Sequence, residues 1–215
     1  MITKTKDQRP KADVAALLLA AGQSRRMGAF KPLLPFGNTT VIHSCIQNLR
    51  GAGVDQIVVV LGHRAAEVQA SLNDPQLSFS LNPQPDSEMS TSIICGLQQL
   101  PAKTGAVLIA LADHPATPPE AIEAVINAWQ NGARLIVPEF QGHGGHPVLV
   151  DLVFREELMR LDPGFGLRSL FIAHKDEVKR LALKSPFVAR DMDTWDDYRA
   201  LHDEIFGNSP NDIGR

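Results

Sequence analysis

Three segments far apart in the chain carry charged side chains of the types that handle phosphate esters and metal ions. Small and basic residues occupy the first of them, residues 19–31. Asp113 follows an apolar run, and Asp191 and Asp193 stand near the C-terminal end. Carboxylate oxygens are ligands that Mg²⁺ prefers, and basic side chains neutralise phosphate charge. These residue types therefore favour a metal-dependent reaction of a phosphorylated substrate.

In the first segment, small side chains come before basic ones. It reads Leu19-Ala20-Ala21-Gly22-Gln23-Ser24-Arg25-Arg26-Met27-Gly28, and Lys31 follows. Small side chains let the backbone approach a nucleotide closely, and successive amides can bind phosphate oxygens. The spacing fits neither the Gly-x-Gly-x-x-Gly dinucleotide motif nor a Walker-type loop. A solvated basic turn has the same composition. The interpretation of this segment as a nucleotide-binding loop therefore needs evidence from elsewhere in the chain.

Apolar runs precede two of the charged segments. Val14–Ala20, Gln56–Leu61 and Ala106–Leu111 are continuous enough to be strands buried on both faces. Segments with helical spacing alternate with them, which predicts right-handed crossovers and a mostly parallel sheet in a Rossmann-like three-layer α/β/α fold. Ligands of such sheets bind beyond the carboxyl ends of the strands, so Gly22 and Asp113 should lie on one rim.

The remaining predicted elements are shorter or less regular. We expect helices at 40–50, 65–72, 90–100, 118–129 and 195–205, and strands at 77–81 and 135–137. Residues 13–206 are predicted to form one domain, and residues 1–12 and 207–215 to be flexible termini.

Composition narrows the range of partners. The net charge is −3, which argues against nucleic acid or an anionic membrane as a partner held by charge. The two cysteines, Cys45 and Cys95, lie in apolar stretches and predict buried thiols rather than a disulfide framework. No segment has the length of a membrane span or the apolar middle of a signal peptide, so we expect a cytoplasmic protein.

Seven motifs in order resemble the MobA-like nucleotidyltransferases, and most closely the molybdenum cofactor cytidylyltransferases (MocA-like). The first is the segment described above with its Lys31-x-Leu33-Leu34-Pro35 continuation. The others are Val60-Leu61-Gly62-His63, Asn82 with Met89-Ser90-x-Ser92 and Gly96, Leu111-Ala112-Asp113-His114-Pro115, Gly142-x-Gly144-Gly145-His146-Pro147-Val148, Asp162-x-Gly164-x-Gly166-x-Arg168, and Asp191-Met192-Asp193-Thr194. The Asp162 motif departs from the family pattern, because Leu161 replaces the usual glycine and the spacing is shifted.

The resemblance implies a fold of the nucleotide-diphospho-sugar transferase type. It also implies a nucleotidyl-transfer reaction. CMP is transferred from CTP to the terminal phosphate of molybdopterin, giving molybdopterin cytosine dinucleotide and pyrophosphate. The attacking phosphate is already anionic, so catalysis needs positioning and charge neutralisation rather than a protein nucleophile. Mg²⁺ is the implied cofactor, with Mn²⁺ able to substitute. A molybdoenzyme apoprotein is a further implied partner.

The resemblance also implies roles for individual residues. Lys31, Arg26 and Asp113 are the expected catalytic residues, and Asp113 and Asp193 the expected metal ligands. Expected nucleotide contacts are Leu19, Ala20, Ala21, Gly22, Ser24, Arg26, Gly28, Lys31, Asn82, Ser90 and Ser92. The acceptor side is assigned His146, in a mobile glycine-rich loop, an ion pair of Asp162 with Arg168, and Asp191. For the aspartates before the last helix, helix capping is a structural alternative.

Several other functions stay open at this point. Ala21 resembles the cytidylyl enzymes, where the guanylyl enzymes have glycine, so a GTP-dependent guanylyltransferase is the near alternative. Another small-molecule phosphate nucleotidyltransferase comes next, and a pterin-carrying chaperone would need no metal. An NAD(P)-dependent oxidoreductase would share the sheet, but the second strand ends Leu61-Gly62-His63 without the acidic residue that binds a ribose. His143 and His146 also have a zinc-like spacing, without a cysteine near them.

Overall fold

The structure is a computed structural model that describes residues 9–10, 13–24, 26–84, 87–207 and 210. Its strands are β1 (Val14–Ala20), β2 (Pro35–Phe36), β3 (Thr39–Thr40), β4 (Gln56–Leu61), β5 (Ser78–Leu81), β6 (Ala106–Leu111), β7 (Leu135–Phe140), β8 (His143–Gly144), β9 (Val148–Asp151) and β10 (Val178–Ala182). Its α-helices are α1 (Val41–Gly51), α2 (Ala65–Leu72), α3 (Met89–Leu97), α4 (Pro119–Gln130), α5 (Arg155–Leu158), α6 (Leu167–Ala173) and α7 (Trp195–Phe206).

One mostly parallel sheet runs through the described part of the chain, in the order β10-β7-β9-β6-β1-β4-β5. β1 pairs in parallel with β4 and with β6, and β4 pairs in parallel with β5. β9 is antiparallel to both of its neighbours, β6 and β7. Because β1 lies between β4 and β6, the carboxyl ends of the three central strands meet at one edge.

Alternate residues of β1 build the two halves of the core. Ala16 and Leu18 pack in a cluster with side chains of α1, α2 and α4, whereas Leu17 and Leu19 pack with α3 and with the segment around α5 and α6. Side chains alternate across a strand, so a buried central strand must be apolar at every position. Leu17 and Leu18 are both fully buried, and each contributes about 2 kcal/mol of transfer free energy. This is the predicted three-layer α/β arrangement.

A third apolar cluster joins the two ends of the described chain. Met27 and Leu34 from the first loop pack with Met192 and with Tyr198 and Leu201 of α7. The Tyr198 hydroxyl donates a hydrogen bond of 2.6 Å to the carbonyl of Pro35. This cluster brings the segment before α7 to the first loop, which no pattern in the sequence predicted.

The predicted central elements are confirmed and the peripheral ones only in part. The predicted strand at 135–137 extends to Phe140, and the predicted helix at 90–100 spans Met89–Leu97. β9 and β10 were not predicted. β10 carries Lys179 and Arg180 and pairs only with β7 at the edge of the sheet, so it lacks the continuous apolar pattern of the central strands. Among the described residues, no helix is both long and apolar enough to cross a membrane.

The predicted flexible termini lie mainly outside the described residues, with exceptions. Arg9, within the predicted flexible segment 1–12, bonds to the Asp151 carboxylate at 2.8 Å and lies 5.2 Å from the centre of the Trp129 ring. Gly207 ends α7 in the left-handed region with a φ of +69°, and its amide donates to the carbonyl of Asp203. These hydrogen bonds show where the two residues are placed, and the flexibility of the termini stays a prediction.

Asp151 provides a test of this packing. Its Oδ2 accepts from Arg9 and, at 2.9 Å, from the Trp129 indole, and its Oδ1 accepts from the amide of Val153 at 2.9 Å. We expect Asp151→Ala to lower the free energy of unfolding by about 3 kcal/mol, since charge-assisted bonds are lost and buried donors are left unpaired. Urea denaturation measures this, with the exposed Asp176→Ala as the control, expected to change stability by less than about 0.5 kcal/mol. Equal effects of the two substitutions would contradict the packing described.

Candidate active site

Ser24 organises the loop that follows β1. Its φ is +52°, a left-handed conformation that non-glycine residues rarely adopt outside turns and functional sites. The Ser24 carbonyl accepts from the amides of Met27 and Gly28, both at 3.2 Å. Its hydroxyl accepts from the Lys31 amide at 3.1 Å. These bonds fold the loop back on itself and bring Lys31 to the end of β1. Arg25 lies outside the described residues.

Lys31 is the point at which the three charged segments meet. Its Nζ lies 2.8 Å from Asp193 Oδ1 and 3.6 Å from Asp113 Oδ2. The Asp193 carboxylate also pairs with the Arg26 guanidinium. Only 11% of the Lys31 side chain is exposed, so its charge requires compensation by anionic partners. Residues from both ends of the chain and from its middle thus form one charged cluster.

Asp113 follows β6 and is only partly paired. Its Oδ1 is buried and has no hydrogen-bond partner among the described residues. His114 Nε2 lies 3.9 Å from this oxygen, and burial lowers the pKa of His114, which favours its neutral form. Buried polar atoms are nearly always bonded, so an unpaired carboxylate oxygen beside a cleft indicates a missing ligand.

Asp193 is held beside Asp113 by the backbone of the preceding residue. Met192 is completely buried, and its amide donates to the Asp113 carbonyl at 3.1 Å. Thr194 caps α7, with Asp197 completing the capping box, so the capping alternative does not account for Asp193. The hydrogen bond from Lys31 lowers the pKa of Asp193, and the Lys31 and Arg26 charges act in the same direction. Asp191, by contrast, is exposed.

A cleft of about 270 Å³ opens at this cluster. The predicted nucleotide-binding residues that line it are Leu19, Ala20, Ala21, Gly22, Ser24, Lys31, Asn82 and Ser92, and Asp113 lines it as well. Arg26, Gly28 and Ser90, also predicted as nucleotide contacts, are not among the lining residues. Gly28 has a φ of +67° and serves the turn of the loop, and Ser90 borders a second cleft instead.

Asn82 connects the wall of this cleft to the sheet. Its amide donates to the carbonyl of Leu61 at 2.7 Å, directly at the end of β4. Its side-chain Nδ2 donates to Ser92 Oγ at 2.9 Å and to Ser87 Oγ at 3.0 Å. Sequence reasoning missed Ser87, which lines the cleft but belongs to none of the seven motifs.

The second cleft is larger, at about 1090 Å³, and contains part of the predicted acceptor side. His146 and Arg168 line it, and Met89 lines both clefts, which places the two next to each other. Lys175 and Arg180 add positive charge that sequence reasoning did not select. Arg180 lies on β10, whose position beside β7 was not predicted.

Two acceptor-side expectations were wrong. Asp162 forms no ion pair with Arg168; its Oδ1 accepts from the amides of Gly164 at 2.8 Å and Phe165 at 3.0 Å, as aspartate commonly does in turns. The glycine-rich segment expected to be a mobile loop forms a hairpin of β7 and β8. The His146 amide donates to the carbonyl of Val188 at 2.8 Å, so the end of the hairpin is tied to its neighbour.

His146 is a partly buried side chain that contacts a histidine of another motif. Its ring packs edge-on against His114, with 5.5 Å between ring centres, and its Nδ1 lies 3.2 Å from the carbonyl of Ile109. Burial lowers the pKa of His146 to about 4, and the nearby His114 adds to this effect. The described residues contain no group of three or more histidine, cysteine or acidic side chains that could hold a metal, which leaves the zinc alternative without support.

Known proteins share this fold and sequence pattern. Residues 16–178 match the MobA-like NTP transferase domain, and the chain belongs to that family of nucleotidyltransferases. Rv0371c from Mycobacterium tuberculosis H37Rv has a similar structure, with a TM-score of 0.80 and 28% identity over 90% of this chain and 100% of that one. Rv0371c has also been solved in complex with manganese, and that structure gives a TM-score of 0.75 and 27% identity over 88% of this chain and 98% of the other.

Two curated relatives differ in their named activities. Nicotine blue oxidoreductase from Paenarthrobacter nicotinovorans is 25% identical over 170 residues, 75% of this chain and 82% of the relative. The 2-C-methyl-D-erythritol 4-phosphate cytidylyltransferase from Streptomyces coelicolor is 31% identical over 138 residues, 60% of this chain. The match spans only 51% of the length of the cytidylyltransferase.

The pKa of His146 predicts a pH dependence of stability. The unfolded chain binds a proton at His146 near its ordinary pKa of 6.5, whereas the folded chain does so only near pH 4. Stability should therefore fall as the pH drops from about 6.5 towards 4, by on the order of 1–2 kcal/mol at pH 5. His146→Gln, which can still donate to the Ile109 carbonyl, should lack this part of the loss. Urea denaturation of both proteins at pH 7 and pH 5 tests it, and identical losses would show that His146 titrates normally.

Proposed function

We propose that the chain transfers CMP from CTP to the terminal phosphate of molybdopterin in a Mg²⁺-dependent reaction. The observation that carries the proposal is the position of Lys31 Nζ, between Asp113 and Asp193 on the wall of the smaller cleft. A cation and two carboxylates there suit a metal-bound triphosphate. The family match supports a nucleoside triphosphate as the donor, and the adjoining large cleft leaves room for an acceptor.

The proposed reaction needs little chemistry from the protein. An anionic oxygen of the acceptor phosphate forms a bond to the α-phosphorus of the triphosphate, and the bond from that phosphorus to the bridging oxygen breaks. Pyrophosphate leaves with the electron pair. Lys31 would neutralise charge that builds on the α-phosphate, and the exposed Arg26, at the edge of the cluster, would contact the β- and γ-phosphates. The small residues Ala20, Ala21 and Gly22 allow the phosphates to approach the backbone.

Asp113 and Asp193 fit the requirements of a divalent cation. The unpaired Asp113 Oδ1 is an available anionic ligand, and Asp193 is ionised because Lys31 and Arg26 keep its pKa low. Mg²⁺ takes one or two carboxylates and completes its shell with substrate phosphate and water, so two aspartates suffice. The bound ion would neutralise phosphate charge. The manganese complex of the similar Rv0371c supports a divalent metal in this family.

The choice of CTP and molybdopterin rests on finer features. Ala21 resembles the cytidylyl enzymes, and one curated relative is itself a cytidylyltransferase. Asn82 and Ser92, which line the same cleft as Lys31, offer polar groups to a base or ribose. Arg168, Lys175 and the exposed Phe165 in the second cleft suit an anionic acceptor with a planar ring.

An oxidoreductase function is the second candidate, because one relative bears that name. The nucleotide cleft does not favour it. The loop after β1 lacks the dinucleotide glycine pattern, and β4 ends at Leu61 followed by Gly62 and His63, without an acidic residue for a ribose. Oxidation of a nicotinamide cofactor by the purified protein, without pyrophosphate release, would favour this candidate over nucleotidyl transfer.

The choice of nucleotide can be measured directly. We expect pyrophosphate release when the protein is incubated with molybdopterin, Mg²⁺ and CTP, and a rate at least about tenfold lower with each of the other three triphosphates. The tenfold preference corresponds to about 1.4 kcal/mol in the transition state, within what a few base contacts supply. Preferential release with GTP would assign the protein to the guanylyl branch. No release with any triphosphate would refute the proposed acceptor.

The charged cluster can be tested by substitution. Lys31→Ala and Asp113→Asn should each lower kcat/KM for transfer by about 10²–10³-fold, because charge stabilisation of the transition state is lost. Asp113→Asn should still fold, because asparagine keeps the shape of the side chain and Lys31 retains its closer partner Asp193 at 2.8 Å. Asp196→Asn is the control: the Asp196 side chain is 95% exposed, lines neither cleft and should retain activity within about twofold. Normal turnover by Asp113→Asn would refute the assigned metal ligand.

A further inference from the structure

The start of α3 forms the boundary between the two clefts. Met89 lines both of them. Ser92 lines the nucleotide cleft and Ser90 the second cleft. Residues two apart on a helix point to roughly opposite sides, since each step turns by about 100°. One short stretch of helix therefore presents a serine to each cleft.

Ser90 is unusual among the polar side chains of the described chain. Only 1% of the residue is exposed, and its Oγ has no hydrogen-bond partner among the described residues. Ser92, by comparison, accepts a hydrogen bond from Asn82. A buried hydroxyl without a partner destabilises the fold, so its presence at a cleft indicates a group that binds there.

The backbone around Ser90 favours the binding of an anion. The first amides of a helix have no acceptor within the helix, and the side chain of the N-cap residue, Glu88, forms no capping bond here. The positive end of the α3 dipole adds to this preference. The second cleft also carries the cations Arg168, Lys175 and Arg180, although the Glu88 carboxylate lies on the same lining and opposes them.

We propose that Ser90 and the first amides of α3 bind the terminal phosphate of the acceptor, not the nucleotide. The inference rests on the proposed nucleotidyl transfer and names a residue that determines acceptor binding. It replaces the nucleotide contact that the sequence predicted for Ser90. The start of α3 is a suitable place for the attacking phosphate because Met89 borders both clefts. A phosphate bound there would lie between the acceptor cleft and the triphosphate.

Steady-state transfer kinetics distinguish the two serines. Ser90→Ala should raise the KM for molybdopterin about tenfold and leave the KM for the triphosphate unchanged, as expected for one lost bond to a charged group. Ser90→Thr should recover most of this loss, and Glu88→Gln should lower the KM for molybdopterin. Ser92→Ala, the matched control, should raise the KM for the triphosphate instead. A Ser90→Ala enzyme with unchanged acceptor KM, or with a raised triphosphate KM alone, would overturn the proposal.

A binding measurement keeps the inference testable if molybdopterin is not the acceptor. Inorganic phosphate is titrated into the Lys31→Ala protein, whose nucleotide site is weakened, while amide shifts are followed by NMR. The Met89 and Ser90 amides should shift saturably, and the added substitution Ser90→Ala should weaken the apparent affinity about tenfold. Shifts confined to Ala21 and Gly22 would place phosphate at the nucleotide loop only and overturn the proposal. The melting temperature of Ser90→Ala should be at least that of the parent protein, because an unpaired hydroxyl is removed.

Discussion

The site depends on one nearly buried ammonium group that must be neutralised. Lys31 is held where little water can reach its charge, and Asp113 and Asp193 provide the compensation. Because desolvating a cation is costly, the three segments that supply these residues stabilise one another's positions. The packing of Met192 and Tyr198 against the first loop helps to form this charged cluster, since it brings the segment before α7 within reach of Lys31. Without this cluster, the cleft would lose the charged side at which the proposed triphosphate would bind.

The cluster contains the charges that the proposed reaction requires. Lys31 and Arg26 balance the carboxylates of Asp113 and Asp193 before any ligand binds. A divalent ion with a triphosphate would exchange these pairings: the carboxylates would turn to the metal and the cations to the phosphates. The unpaired Oδ1 of Asp113 is consistent with such an exchange, because this oxygen can bind a metal without first breaking a hydrogen bond. Under the proposed function, the arrangement would favour binding of the substrate over maximal stability.

The central fold could be predicted because burial on both faces leaves a clear pattern. β1, β4 and β6 are apolar at nearly every position, and each ends close to a glycine or an aspartate. β10 escaped prediction because the consecutive Lys179 and Arg180 interrupt any apolar run and are equally compatible with an exposed loop. Ser87 and Lys175 were missed for a related reason: a serine or lysine in a loop becomes part of a site only through what folds next to it.

The sequence by itself determined the family, the three-layer sheet and the shared rim of Gly22 and Asp113, because parallel strands all end at the same edge. Only the tertiary structure decided that Asp193, and not Asp191, reaches Lys31, and that Ser90 faces a different cleft from Ser92. The tertiary structure also replaced the expected Asp162 ion pair with a turn. These outcomes depend on the direction of single side chains, which packing of distant segments sets and local residue patterns do not.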